Sequence, residues 1–136
     1  MIVVDTNILI HALVASPRTE AVRRLWSKDA AWRLPGLWRW EFTNVVWLKV
    51  KTGGMEKVEA LRLMNAAARK YDPLERPVFM EDAFRAALQF SISGYDGAFV
   101  ALAQMLGTKL VTEDKKLRKA VGDLGCTVEE LLSQES

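Results

Sequence analysis

A chain of 136 residues, half apolar and 26% charged, has the length and composition of one globular domain that buries a core without disulfides or a structural metal. Its formal net charge of +2 excludes a strongly basic chain, so any affinity for nucleic acid must reside in a local patch. The single cysteine, Cys126, excludes an intramolecular disulfide and a thiolate metal cluster, and it suits a reducing compartment. The apolar start, Met1 to Val4, is far short of a signal-peptide core and no stretch is long enough to span a bilayer; the expected location is the cytoplasm, with no membrane partner.

In chain order, Ile2-Val3-Val4 predicts a buried first strand ending at Asp5, and Asn7 to Val14 an apolar helix or turn that stops before Ser16-Pro17. Ala21, Val22, Leu25 and Trp26 fall at helical spacing, and Ala31 to Leu34 supplies a short second strand before Pro35-Gly36. Leu37 to Lys51 is helical again and closes at Thr52-Gly53-Gly54. Val58, Leu61, Leu63, Met64 and Ala67 mark a helix ending around Tyr71-Asp72-Pro73; residues 76–79 read as a weak edge strand, where proline is tolerated.

Met80 to Phe90 is a helix, and Ser93 to Asp96 has capping-box spacing before a strongly apolar helix reaching Leu106-Gly107. Lys109 to Thr112 is a strand, Lys115 to Val121 a short basic helix, Gly125 to Val128 a last strand with Cys126 buried in it, and Glu129 to Leu132 a closing turn of helix. This alternation predicts a parallel sheet covered by helices on both faces. The expected organisation is a single domain over residues 1–132 with a frayed polar tail at 133–136.

In open α/β sheets reactive groups collect beyond the carboxyl ends of the strands, where Asp5 and Asp114 stand. Glu41 and Asp96 sit near the starts of helices that begin above that edge, so four carboxylates would converge. Like charges in close contact oppose ionisation and call for a cation. With one histidine, His11, and one cysteine, the chain offers hard oxygen ligands suited to Mg²⁺ or Mn²⁺ rather than zinc. Metal held by acids suits phosphodiester hydrolysis, by a nuclease or a phosphatase.

Each acid also has a purely structural reading. Asp5-Thr6-Asn7 is a helix-capping run, Asp96 is the acidic member of a capping box with Ser93, and Asp114 has the position of a cap on the lysine-rich helix. Glu41 interrupts the aromatic run Trp38-Arg39-Trp40-Glu41-Phe42, where a buried charge would be costly, and Asn44 lies one turn beyond on the same face. Gly97 inside its helix costs at most about 1 kcal/mol so near the first turn.

Four segments occur together in order: Ile2-Val3-Val4-Asp5-Thr6-Asn7; Leu34-Pro35 followed by Glu41-Phe42-Thr43-Asn44-Val45; Tyr95 to Ala103; and Leu110-Val111-Thr112-Glu113-Asp114. In these, over nearly its whole length, the chain resembles the PIN-domain family and, within it, the VapC-type toxins of bacterial and archaeal toxin–antitoxin pairs. The resemblance implies a three-layer α/β/α sandwich with a central parallel sheet of four to five strands, and a Mg²⁺- or Mn²⁺-dependent endoribonuclease. It assigns Asp5, Glu41, Asp96 and Asp114 to catalysis and metal binding, with Thr6, Asn7 and Thr112 supporting them. Glu113 competes with Asp114 for the fourth acid, and the family pattern favours Asp114.

For phosphate contact the sequence offers Arg39, Lys49 and Lys51 on the Glu41 helix, and Lys115, Lys116, Arg118 and Lys119 after Asp114. Trp38, Trp40 and Trp47 can stack bases but fit a subunit interface better. The resemblance further implies a homodimer and a cognate VapB-like antitoxin lying in an apolar groove near the first helices and the Glu41 helix. Rival readings are a DNA-directed or structure-dependent nuclease, a catalytically silent RNA-binding or scaffold module, and a dehalogenase-like phosphatase, which would need a second Asp where Asn7 stands.

Overall fold

The computed structural model describes residues 1–134. Four short strands, β1 (Ile2–Val4), β2 (Trp32–Arg33), β3 (Leu110–Val111) and β4 (Gly125–Cys126), form a wholly parallel sheet in the order β2-β1-β3-β4. The ladder runs past the strand ends: Asp5 N donates to Val111 O and Thr112 N to Cys126 O, each at 3.0 Å.

Side chains on successive strand residues point to opposite faces. Val3 and Leu110, paired across β1 and β3, pack with Phe99 to Ala103, Leu117 and Val121. Ile2, Val4 and Val111 point the other way, towards Ile8, Leu25, Phe42, Tyr71 and Val128. One face is therefore covered by α1 (Thr6–Leu13), α2 (Thr19–Lys28), α3 (Trp38–Lys51), α4 (Lys57–Tyr71) and α8 (Val128–Ser133). The other carries α5 (Met80–Phe90), α6 (Gly94–Leu106) and α7 (Lys115–Val121). This is the expected three-layer α/β/α sandwich.

Two expected strands are corrected. Residues 76–79 form no strand: the contact with the sheet is a single parallel bridge from Leu34 to Glu75, with Arg76 N donating to Leu34 O at 2.9 Å. Pro77 has no N–H with which to extend it. β4 ends at Cys126 because Thr127 turns out of the ladder to cap α8, its hydroxyl accepting from Glu130 N at 3.1 Å. At the start of the expected tail, Ser133 completes α8, and Lys28 Nζ donates to the Leu131 and Gln134 carbonyls at 2.5 and 2.6 Å. The rest of that tail, 135–136, lies outside the described residues.

Gly97 has a reason that helix propensity does not show. A Cβ there would stand 2.4 Å from Ala83 O, so its absence lets the α5 and α6 backbones approach each other closely. Among the described residues no helix is long and apolar enough to cross a membrane.

Candidate active site

β1 leads to β2 on one side of the sheet and β3 leads to β4 on the other. Connections leaving adjacent strands in opposite directions open a crevice at their carboxyl ends. Asp5 and the Thr112-Glu113-Asp114 segment stand on its two lips.

Asp5 occupies the cap position of α1 but makes no side-chain cap bond. Its Oδ2 instead accepts from Thr112 Oγ1 at 2.7 Å. Burial raises the Asp5 carboxyl above the ordinary aspartate range and the charge of Asp114 adds to this; the Thr112 hydroxyl and the N–H groups of Thr6 and Asn7 oppose it. Thr6, buried in the first turn of α1, donates its hydroxyl to Glu41 Oε1 at 2.7 Å and so ties α1 to α3. Burial likewise raises Glu41, assisted by Asp5 and Asp96.

Asp96 follows Ser93, whose Oγ accepts from Asp96 N at 3.1 Å. Its own carboxyl is raised by burial and then by Asp5 and Asp114. Asp114 is a true cap, with Oδ1 accepting from Lys116 N at 2.9 Å and Leu117 N at 3.1 Å. Capping uses one of its oxygens and still leaves the group within electrostatic reach of Asp5 and Asp96. Glu113 is engaged elsewhere: Arg18 Nε donates to its Oε1 at 2.8 Å and Arg18 also pairs with Glu129.

The acids thus form one electrostatic group centred on Asp5. A model of the PIN domain matches residues 2–122. This chain belongs to the PIN-domain family. Ribonuclease VapC3 of Pyrobaculum aerophilum is 29% identical to it over 119 residues, covering 85% of this chain and 91% of that protein. The crystal structure of PAE2754 from Pyrobaculum aerophilum matches with a TM-score of 0.73 at 20% identity, covering 96% of this chain and 91% of that one. FitAcB from Neisseria gonorrhoeae matches with a TM-score of 0.69 at 17% identity, covering 95% and 99%. Both structures share the fold.

In this PIN domain the donor set fits a hard divalent cation: partly buried carboxylates in one crevice, each discouraged from ionising by burial and by at least one neighbouring carboxylate. Among the described residues, however, no three His, Cys, Asp or Glu side chains already converge as a ligand cluster. His11 is turned aside, its Nδ1 2.8 Å from Ser16 Oγ, and burial lowers its pKa. Cys126 is sealed in β4, where burial pushes the thiol up to about 11.

The supporting and basic candidates divide. Asn7 and Asn44 are exposed and their side chains make no hydrogen bond among the described residues; Asn44 does not orient Glu41. Arg39 is partly exposed, and its guanidinium pairs with Glu75 Oε1 at 2.5 Å and Asp72 Oδ1 at 3.1 Å. Lys49 is half-buried, whereas Lys115 and Lys116 are exposed beside Asp114. Trp38 is core, edge-on to Phe42 and Tyr71 with Nε1 donating to Glu75 at 2.6 Å, while Trp40 and Trp47 are exposed. Sequence reasoning missed Arg18, because nothing local to a residue following Pro17 signals partners 95 and 111 positions away.

Proposed function

We propose that this PIN domain, residues 1–132, is a Mg²⁺- or Mn²⁺-dependent endoribonuclease and the toxin of a VapBC-type pair. The observation that carries the reading is the crevice at the carboxyl ends of β1 and β3, where Asp5, Glu41 and Asp96 are each held above the ordinary carboxylate range by burial and by at least one neighbouring carboxylate, Asp114 in the case of Asp5. Such a group stores repulsion that a divalent cation relieves. The name of the relative Ribonuclease VapC3 supports the choice of RNA.

Asp5, Glu41, Asp96 and Asp114 would hold the metal, which when bound supplies an activated water and charge stabilisation at phosphorus. The chain's own contribution is placement. Thr112 fixes the rotamer of Asp5, Thr6 fixes that of Glu41, and the α7 cap fixes Asp114. Glu113, neutralised by Arg18, is left out, which supports Asp114 as the fourth acid.

The proposed partners have candidate surfaces. An apolar groove of about 320 Å³ between α3 and α4, walled by Val46, Trp47, Val50, Leu61 and Met64, suits an antitoxin segment. Met80, Phe84 and Leu88 form an exposed stripe at i, i+4 and i+8 along α5, which suits the homodimer contact.

Cleavage of a structured-RNA panel with Mg²⁺, Mn²⁺ or EDTA tests the function, with Asp5→Asn protein purified in parallel. Metal-dependent cutting by the parent alone is the expected result. Equal cutting by Asp5→Asn, or cutting in EDTA, overturns the assignment of the site.

A further inference from the structure

Beside the sheet edge, between α7 and α8, opens a cleft of about 530 Å³ whose lining includes Lys109, Lys115, Arg118 and Lys119. Against these four cations stand two carboxylates, Asp123 and Glu130, so the cleft is basic within a nearly neutral chain. Its floor is β4, the edge strand that pairs only with β3. Lys115 and Lys119 are exposed and have no hydrogen-bond or ion-pair partner among the described residues.

We propose that this cleft binds the phosphate backbone of the RNA strand beyond the point of cleavage, as an electrostatic contact separate from the acids. The inference rests on the ribonuclease reading above. Continuity with the crevice comes through α7. Lys115 follows Asp114 directly, and Arg118 Nη1 donates to Thr112 O at 2.8 Å, the same residue whose hydroxyl holds Asp5. Lys115 and Lys119 stand four residues apart on one face of α7, about 6 Å along its axis, so they present charge at successive points along a strand leaving the acids.

The chemistry favours phosphate over a protein partner. No aromatic side chain lines the cleft and its one large apolar residue is Leu131, so it lacks the anchors that a bound peptide needs. With nothing to stack on or read a base edge, it would hold the backbone whatever the sequence. Substrate length, rather than sequence, is what such a contact selects.

Binding of a twenty-nucleotide single-stranded RNA to Asp5→Asn protein, by fluorescence anisotropy across a salt series, tests this apart from cleavage. Adding Lys109→Gln and Lys119→Gln should weaken binding on the order of tenfold at low salt and flatten the salt slope by about 1.4, two phosphates' worth for a single strand. A four-nucleotide RNA, too short to span crevice and cleft, should show no such loss. Lys119→Glu alone, at an exposed position without partners, should reproduce the direction and guards against misfolding of the double variant. Unchanged affinity and slope for the long RNA overturn the proposal, as does Lys119-dependent binding of poly-glutamate without any effect on RNA. A parent protein that cuts no RNA while its binding stays cleft-dependent would sink the nuclease reading and leave the cleft standing; cutting without cleft-dependent binding would do the reverse.

Discussion

Thr112 Oγ1 donates to Asp5 Oδ2 at 2.7 Å, and the same oxygen accepts from Asp114 N at 3.1 Å. One fully buried hydroxyl thereby couples the acid after β1 to the backbone of the acid after β3. Thr112→Val keeps the shape and removes both bonds. We expect a loss of about 1–3 kcal/mol in urea unfolding, because Asp114 N and Asp5 lose partners in a buried setting. Cleavage should fall as well, and the acid limb of its pH profile should move to higher pH, since the lost bond favours the charged form of Asp5. A variant with parental stability and profile would show the bond to be incidental.

Raised carboxyls make a pH prediction with a definite sign. The unfolded references are 3.8 for Asp5 and Asp96 and 4.5 for Glu41, and each folded value lies above its reference. Their contribution to stability is full below those references and is lost as pH rises through the raised values. Asp5→Asn removes one charge from the group, so it should match the parent below pH 3.8 and become the more stable of the two as pH climbs. At neutral pH without metal Asp5→Asn should melt at a higher temperature than the parent. Saturating Mn²⁺ should close the gap by stabilising the parent. Melts across pH with EDTA and with Mn²⁺ check both halves, and a parent more stable than Asp5→Asn at neutral pH in EDTA would contradict the first.

Gly97→Ala sets helix propensity against packing. Alanine favours the helix by up to about 1 kcal/mol. Its Cβ, however, meets Ala83 O at 2.4 Å, a backbone atom that moves only if α5 and α6 part. The clash should win, with a net loss of about 1–3 kcal/mol in urea unfolding. Gly94→Ala, where a Cβ meets nothing, is the control and should be neutral or stabilising.

Arg18 fastens the residue before Asp114 by pairing with Glu113 and also with Glu129. A double-mutant cycle of Arg18→Met with Glu113→Gln should return a coupling of about 1 kcal/mol, a value between those of exposed and buried pairs. Arg18→Met should also lower cleavage more than Glu20→Ala, a neighbouring exposed change on α2. Zero coupling would reduce the pair to surface decoration.

Chain-local physics made much of the fold legible. β-Branched runs of the right length mark β1 and β3, helical spacing marks the helices, and their alternation implies a parallel sheet because each crossover must travel back over a face. Acids placed after β1 and β3 were legible as candidates for the same reason, since the strand's end fixes where the next side chain points. Capping chemistry was also readable in residue type, as Ser93 and Asp114 show, whereas Thr127 reads as strand in the sequence and caps α8 in the fold.

Tertiary structure decided what depends on distant partners. Asp5 and Asp114 have equally good capping sequences, yet only Asp114 caps; Thr112, brought alongside by the β1–β3 ladder, takes the Asp5 carboxylate. Glu113 and Asp114 differ by one position, and Arg18 from the far side of the chain claims the first. Arg39 is basic in any reading of the sequence, but only the fold pairs it with Asp72 and Glu75. Local sequence sets propensities and side-chain chemistry over a few residues, whereas hydrogen bonding and ion pairing are settled by which groups the packed sheet brings within 3 Å of one another.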